Sequence, residues 1–285
     1  MSSASSAAVP VTVIQPTTGW ASIRLKELWD YRELAYFLVW RDIKVRYKQT
    51  VIGVAWAVVQ PLAMMVVFTL FFGKLAKIPS EGVPYPLFAY AGLLPWQVFS
   101  KSLSESANSL ITEQRLITRV YFPRLLVPLS SVLAALVDFA IAAVLLLGMM
   151  LVYGVMPSVA IGWLPLFIVL MMATALGIGF WLSALNLEYR DVRYVLPFLT
   201  QLWLFLTPVV YPTSLVPERW QLLYSFNPMV GVVEGFRWAL LGAGRGPSPV
   251  LATSIGVALA LFVSGALFFR YRERVFADIL GSGGR

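Results

Sequence analysis

Residues 51–72 read VIGVAWAVVQPLAMMVVFTLFF, an apolar run from Val51 to Phe72 with no charged position. At about 1.5 Å per residue a helix of that length reaches across a hydrocarbon core of about 30 Å. Further runs follow. Leu125–Tyr153 contains one acid, Asp138, while Ile161–Leu187, Tyr194–Tyr211 and Val250–Phe269 contain no charge. Tyr85–Ala107 is a weaker sixth candidate, interrupted by Pro86, Pro95, Lys101 and Glu105. Composition agrees: 59% of the 285 residues are hydrophobic and 13% charged. Soluble domains carry about 25% charged residues, so this chain lacks the polar groups to cover a water-facing surface.

Charge bias decides the status of the weak segment, because cytoplasmic flanks of membrane helices collect Lys and Arg. With six spans both termini lie inside. The inner side then holds 17 basic residues, among them Lys101, Arg115, Arg119, Arg124, Arg190 and Arg193, against Lys74, Lys77, Arg219, Arg237 and Arg245 outside. Deleting the weak span inverts everything after it and gives 10 inside against 12 outside. Six spans fit better. The net charge of +8 is thereby explained by topology rather than by nucleic-acid binding. The beginning, Met1–Val13, has neither a charged leader nor a long apolar block, so the first span is expected to act as an uncleaved anchor.

Several chemistries are excluded. The chain has no cysteine and no histidine, which removes disulfides, thiolate nucleophiles and the commonest metal ligands. No Gly-rich sequence ends in Gly-Lys-Ser/Thr, so no P-loop is read here. Asp138 is the one ionisable residue deep in a clear span, a functional candidate by default, for which an interhelical hydrogen bond is the favoured role.

Segments outside the spans carry structure of their own. In Ala21–Tyr47, Tyr36, Val39, Trp40, Ile43 and Tyr47 fall on one helical face and Arg41, Lys44 and Lys48 on another. That pattern suits an amphipathic helix in the membrane interface, either as an anchor or in contact with a transported molecule. Pro217–Gly242 is rich in large apolar side chains and broken by Asn227-Pro228. It reads as two short amphipathic helices dipping into the outer leaflet, a structure tolerated only beside protein or a water-filled cavity. Two compact charged loops, Glu113–Arg124 and Glu188–Arg193, suit ordinary inner loops or docking of a soluble partner.

At these places the chain resembles a known family. Arg41-Asp42-Ile43-Lys44-Val45-Arg46-Tyr47-Lys48-Gln49-Thr50-Val51-Ile52-Gly53-Val54-Ala55-Trp56, continuing to Gln60-Pro61, looks like the opening segment of type-2 ABC permeases that export polysaccharides. Asn186-Leu187-Glu188-Tyr189-Arg190-Asp191-Val192, Phe226-Asn227-Pro228-Met229 and Glu234-Gly235-Phe236-Arg237 are similar to motifs of that family, in the expected order. The resemblance covers roughly 27–272. Its nearest members move lipid-linked O-antigen or related cell-surface glycans across the bacterial inner membrane.

The resemblance implies an all-α integral membrane protein. It would have a flexible tail over 1–20, an interface helix within 21–50, a six-span domain over 51–270 and a cytoplasmic tail over 271–285. A homodimer would pair with two copies of a separate ABC ATPase subunit that holds ATP and Mg2+, with no cofactor, metal or catalytic residue in this chain. Arg115, Leu116, Arg119, Tyr121, Phe122 and Arg124 would form the coupling element against that subunit. Trp220, Tyr224, Phe226, Asn227, Pro228, Phe236 and Trp238 would belong to two external gate helices. Arg41, Lys44, Arg46 and Lys48 would attract the anionic diphosphate of a lipid-linked cargo at the inner surface, or else bind anionic lipids. The ten Trp, twelve Tyr and eighteen Phe offer stacking surfaces for sugars, although a count leaves open which of them line a conduit. Teichoic acid, capsule or a small drug are alternative cargoes. A membrane-embedded glycosyl- or phosphotransferase is the alternative from another class; it would need Glu188 and Asp191 to hold a metal.

Overall fold

The structure, a computed structural model, describes residues 25–48, 51–189, 191–244 and 246–282. The expected tail over 1–20, Gln49-Thr50 of the opening motif, Arg190 and Arg245 lie outside the described residues.

The described residues form α-helices with short 3-10 and π turns and no strand. The order is α1 (Leu25–Asp30), α2 (Arg32–Tyr47), α3 (Val51–Phe68), α4 (Tyr85–Thr112), α5 (Gln114–Arg119), α6 (Leu126–Val152), α7 (Leu164–Glu188), α8 (Val192–Phe205), α9 (Glu218–Tyr224), α10 (Pro228–Leu241) and α11 (Pro249–Ser282). All-helical architecture is what a lipid solvent demands, because each backbone amide must find its partner within its own segment.

Four helices among the described residues are long and apolar enough to cross a membrane: Val58–Leu75, Leu126–Val152, Val159–Glu188 and Pro249–Glu273. α3 itself begins at Val51, where the apolar run begins, and continues beyond Phe68 as a π-helical turn over Thr69–Leu75. The Thr69 hydroxyl donates to Met65 O at 2.7 Å within that stretch. Tyr85–Thr112 is a continuous helix of 28 residues, longer than the expected 85–107, and its polar residues leave it less apolar than those four. The expected span Tyr194–Tyr211 is helical only to Phe205. Pro208 disfavours helical backbone at Thr207 and offers no N–H, which ends α8 after 14 residues.

α4 is the hub, packed against α3, α6, α7, α8 and α10. Trp203 of α8 meets Trp96 and Phe99 of α4 edge-on, with ring centroids 6.3 and 5.1 Å apart. α7 and α11 approach through glycine: a Cβ at Gly265 would lie 2.1 Å from Gly177 O, so only hydrogen lets the two backbones meet. The loops sort into two poles. At the basic pole lie α1, α5 and the α7–α8 connection, tied to the end of α11 by Arg270–Glu27, Arg124–Glu273 and Arg272–Glu188 contacts. At the far pole the Tyr85 hydroxyl donates to Val210 O at 2.7 Å and Ser158 N donates to Leu240 O at 3.1 Å.

Two expected elements take more definite shape. Of the interface helix expected within Ala21–Tyr47, the described residues form two helices with a break at Tyr31, the second packed along the bundle. Arg41 pairs with Glu113 at the end of α4, while Arg46, five residues on, reaches Glu105, two turns further into the bundle. The pair of short amphipathic helices is only half as read. The break at Asn227-Pro228 is present, with Asn227 Oδ1 capping Met229 N at 3.1 Å and Pro228 in the first turn. α9 is largely exposed, but α10 is buried on nearly every side. Most of α10 is apolar and belongs in a core, its Arg237 included among the buried residues, and Gly231 and Gly235 let it pack there closely.

Candidate functional site

α4 carries a polar stripe in an otherwise apolar interior. Gln97, Ser100, Lys101, Ser104, Glu105, Asn108 and Thr112 recur three or four residues apart and therefore share one face. Two cavities lie along that face. The one nearer the middle of the bundle, about 590 Å³, is bounded by Gln60 and Pro61 of α3, Gln97 and Lys101 of α4, Asp138 of α6 and Pro197 and Thr200 of α8. The other, about 450 Å³ and nearer the basic pole, is bounded by Arg46, Asn108, Thr112, Glu113 and Ser131. Ser104 and Glu105 line both. Of the helices around the larger cavity, α3, α4 and α8 each contain an internal proline: Pro61, Pro95 and Pro197. A proline inside a helix removes a ladder hydrogen bond and favours a kink.

Between the cavities stand four charges. Arg46 donates to both carboxylate oxygens of Glu105 at 2.6 Å and also pairs with Asp138. Asp138 accepts in addition from the Tyr47 hydroxyl and from Lys101 Nζ, the latter at 2.8 Å. Asp138 thus makes the interhelical bond expected of it, to α2 and α4 together. Near the basic pole Arg41 donates to Glu113 at 2.6 and 2.9 Å and to Asp42 at 2.8 Å. Partial burial works against the charge on Arg41, yet hydrogen bonds to Glu113 and Asp42 outweigh it and hold its pKa above the ordinary arginine range. Of the four cations expected at the inner surface, then, Arg41 and Arg46 face inward onto carboxylates. Lys44 is exposed over the Trp40 ring at 5.2 Å, on a helix that also exposes Tyr36 and Phe37, and Lys48 is exposed.

At the far pole the chain from Leu206 to Tyr211 is irregular, and its carbonyls are met by Tyr85, Asn227 and Arg237. Asn227 Nδ2 donates to Leu206 O at 3.1 Å and to Thr207 Oγ1 at 3.0 Å. The fully buried Arg237 donates to Pro208 O at 2.6 Å, Val209 O at 2.5 Å and Phe88 O at 3.2 Å, its guanidinium lying 3.6 Å above the Phe88 ring. The residues expected to form a gate divide accordingly. Trp220 and Phe226 are exposed, and Tyr224 shares a 2.7 Å hydrogen bond with Tyr211. Pro228 and Phe236 are core residues, Phe236 packing edge-on to Phe139, and Trp238 stands against Trp163.

The expected coupling element also divides. Arg115, Arg119 and Tyr121 are exposed around the six-residue α5, with Val120 beside them, and Leu116 is half-buried. Phe122 is buried, and Arg124 is occupied by Glu273, to whose carboxylate its N–H donates at 3.1 Å. Those two hold the turn in place; the others present it. Glu188, one of the two acids that a metal-dependent transferase would need, is paired with Arg272.

The sequence profile of the ABC-2 type transporter family matches residues 33–241, which takes in the α4 stripe, both cavities and the α9–α10 pair. This chain belongs to the ABC-2 type transporter family. Among similar proteins, the O-antigen export system permease protein RfbA of Myxococcus xanthus is 31% identical over 90% of this chain and 99% of its own length. The protein of the same name from Klebsiella pneumoniae is 28% identical over 84% of this chain and 92% of its length. The polysialic acid transport protein KpsM of Escherichia coli is 26% identical over 82% and 91%. As a member of the ABC-2 type transporter family, with apolar helices of spanning length, the chain is a multi-pass membrane protein.

Proposed function

We propose that this chain is the membrane-spanning subunit of an ATP-driven exporter of a lipid-linked polysaccharide, O-antigen being the cargo class favoured by the names of its relatives. The observation that carries this reading is the polar stripe of α4 with its paired cavities, in a chain whose family is one of transporters. A sugar chain is too polar to cross hydrocarbon, and hydroxyl, amide and aromatic groups together supply hydrogen bonds and stacking faces along which it can slide. Gln97, Ser100, Trp96 and Thr200 provide such groups around the larger cavity.

In this reading α3, α4, α6, α7, α8 and α11 are six crossings and both termini are cytoplasmic. The alternation of their ends between the basic and the far pole supports it, as does the rule that basic residues stay inside. Two copies of the chain pair with two ABC ATPase subunits, which bind ATP and Mg2+, and the exposed Arg115, Arg119 and Tyr121 seat in those subunits. Trp220 and Phe226 stand at the outer exit and close it to ions when idle. Polysialic-acid-like capsule is a second cargo reading, favoured by the likeness to KpsM.

The test is to delete the chain's gene, follow surface glycan, and weigh the lipid-linked material that copurifies with the reconstituted complex. Loss of surface glycan with a polyprenyl-linked oligosaccharide in the complex is the expected result. Vectorial movement or turnover by the isolated chain, without any ATPase, would refute it. Replacing Trp220 and Phe226 with Ala is expected to raise ion leakage through reconstituted dimers; unchanged leakage in folded protein removes them from the exit.

A further inference from the structure

We infer that Arg46, Lys101, Glu105 and Asp138 form a closed septum across the inner part of the polar path, and that α2 is the element which opens it. The inference rests on reading the α4 stripe as a conduit. It adds where the conduit is shut and what moves.

The two cavities are consecutive along α4 and meet at Ser104 and Glu105. At that meeting point the side chains come from three helices. Glu105 and Lys101 belong to α4, Asp138 to α6, and Arg46 and Tyr47 to the last turn of α2. Arg46 bridges Glu105 and Asp138, and Lys101 closes the ring on Asp138 at 2.8 Å. Two positive and two negative charges cancel, so the cluster offers neither an anion nor a cation a net field to bind. Its polar atoms are used up on one another, which is how a barrier differs from a binding site. Glu105, Lys101 and Arg46 keep partial exposure, while Asp138 is the most buried of the four.

The position of α2 supplies the handle. Arg41, five residues before Arg46, is held by Glu113, the residue that immediately precedes α5. A displacement of α5 therefore pulls on Glu113, on Arg41 and on the rigid turn and a half of helix leading to Arg46. Withdrawal of Arg46 and Tyr47 by a few ångströms parts α2 from both Glu105 and Asp138 and joins the cavities. Asp138, left behind, keeps Lys101 as partner, so the open state leaves one acid unpaired rather than two.

Native absence of cysteine makes the test direct, since a single introduced thiol is the sole target of a membrane-impermeant maleimide. Asn108→Cys reports on the cavity nearer the basic pole and Gln97→Cys on the one beyond the septum. Reagent is added from the side at which Asn108→Cys labels, in sealed vesicles. Gln97→Cys is expected to label about tenfold more slowly than Asn108→Cys, because maleimide needs a hydrated thiolate. Adding Glu105→Gln with Asp138→Asn should bring the Gln97→Cys rate close to that of Asn108→Cys. Arg46→Lys, too short to bridge both acids, gives a milder variant with an intermediate rate should the double neutralisation impair folding. Equal labelling of Gln97→Cys and Asn108→Cys in the otherwise unaltered chain overturns the septum. So does protection of Gln97→Cys that survives both the neutralisation and Arg46→Lys while Asn108→Cys labels normally. No cargo or ATPase takes part, so these results stand apart from failure of the export reading.

Discussion

Replacing Arg237 with Met removes the guanidinium that serves Pro208 O, Val209 O and Phe88 O. Met fills much the same volume without a donor. Each buried carbonyl left without a partner costs about 1–3 kcal/mol, and loss of a desolvated cation over the Phe88 ring adds about 2 kcal/mol. Against that, the mutant no longer buries a charge, which returns part of the penalty. A net loss of about 3–5 kcal/mol is expected, the range for breaking a buried charged network. Arg237→Lys keeps the charge but replaces a planar fork by a single ammonium, so it should fall between the two. Thermal unfolding of purified protein in mild detergent, read by loss of the monodisperse peak, should order wild type above Arg237→Lys above Arg237→Met, the last lower by about ten degrees. Gly92→Ala probes the same contact from the other side, because its Cβ would lie 2.6 Å from Arg237 Nη2 and 2.8 Å from Val209 O. If Arg237→Met melts within a degree or two of wild type, the guanidinium does not hold the end of α8, and the account of Leu206–Tyr211 fails with it.

Two further predictions concern packing and coupling. Gly265→Ala puts a methyl 2.1 Å from Gly177 O, forcing α7 and α11 apart at a cost of about 1–3 kcal/mol; an unchanged melting temperature would show that the helices slide freely there. Around α5, Phe122→Ala should destabilise the isolated chain by about 3–5 kcal/mol, whereas Arg119→Ala with Tyr121→Ala should leave its melting unchanged and weaken copurification of the ATPase subunit. The reverse pattern would move the docking surface from the exposed to the buried side of the turn.

Hydropathy made four helices of spanning length legible, and Asn227-Pro228 announced the α9–α10 break, because both signals are local: length, periodicity and the geometry of proline. What stayed hidden depends on partners far along the chain. Arg46 meets Asp138 and Glu105 across 92 and 59 residues, and Arg41 meets Glu113 across 72, so four cations alike in sequence separate into two that turn inward and two that face out. Arg237 counts as an outside charge in any topology tally, since such a tally uses sign and order but not depth; in the fold it is a fully buried donor set for carbonyls that no helix satisfies. The instructive case is Tyr85–Thr112. Lys101 and Glu105 weaken it as a lipid-spanning helix, and hydropathy scores them as interruptions. Their spacing with Gln97, Ser104, Asn108 and Thr112 is nonetheless helical, and a helix polar along one stripe and buried on the others must turn that stripe toward water or paired charge. Periodicity of the polar residues, rather than the mean of the apolar ones, was the signal for the site.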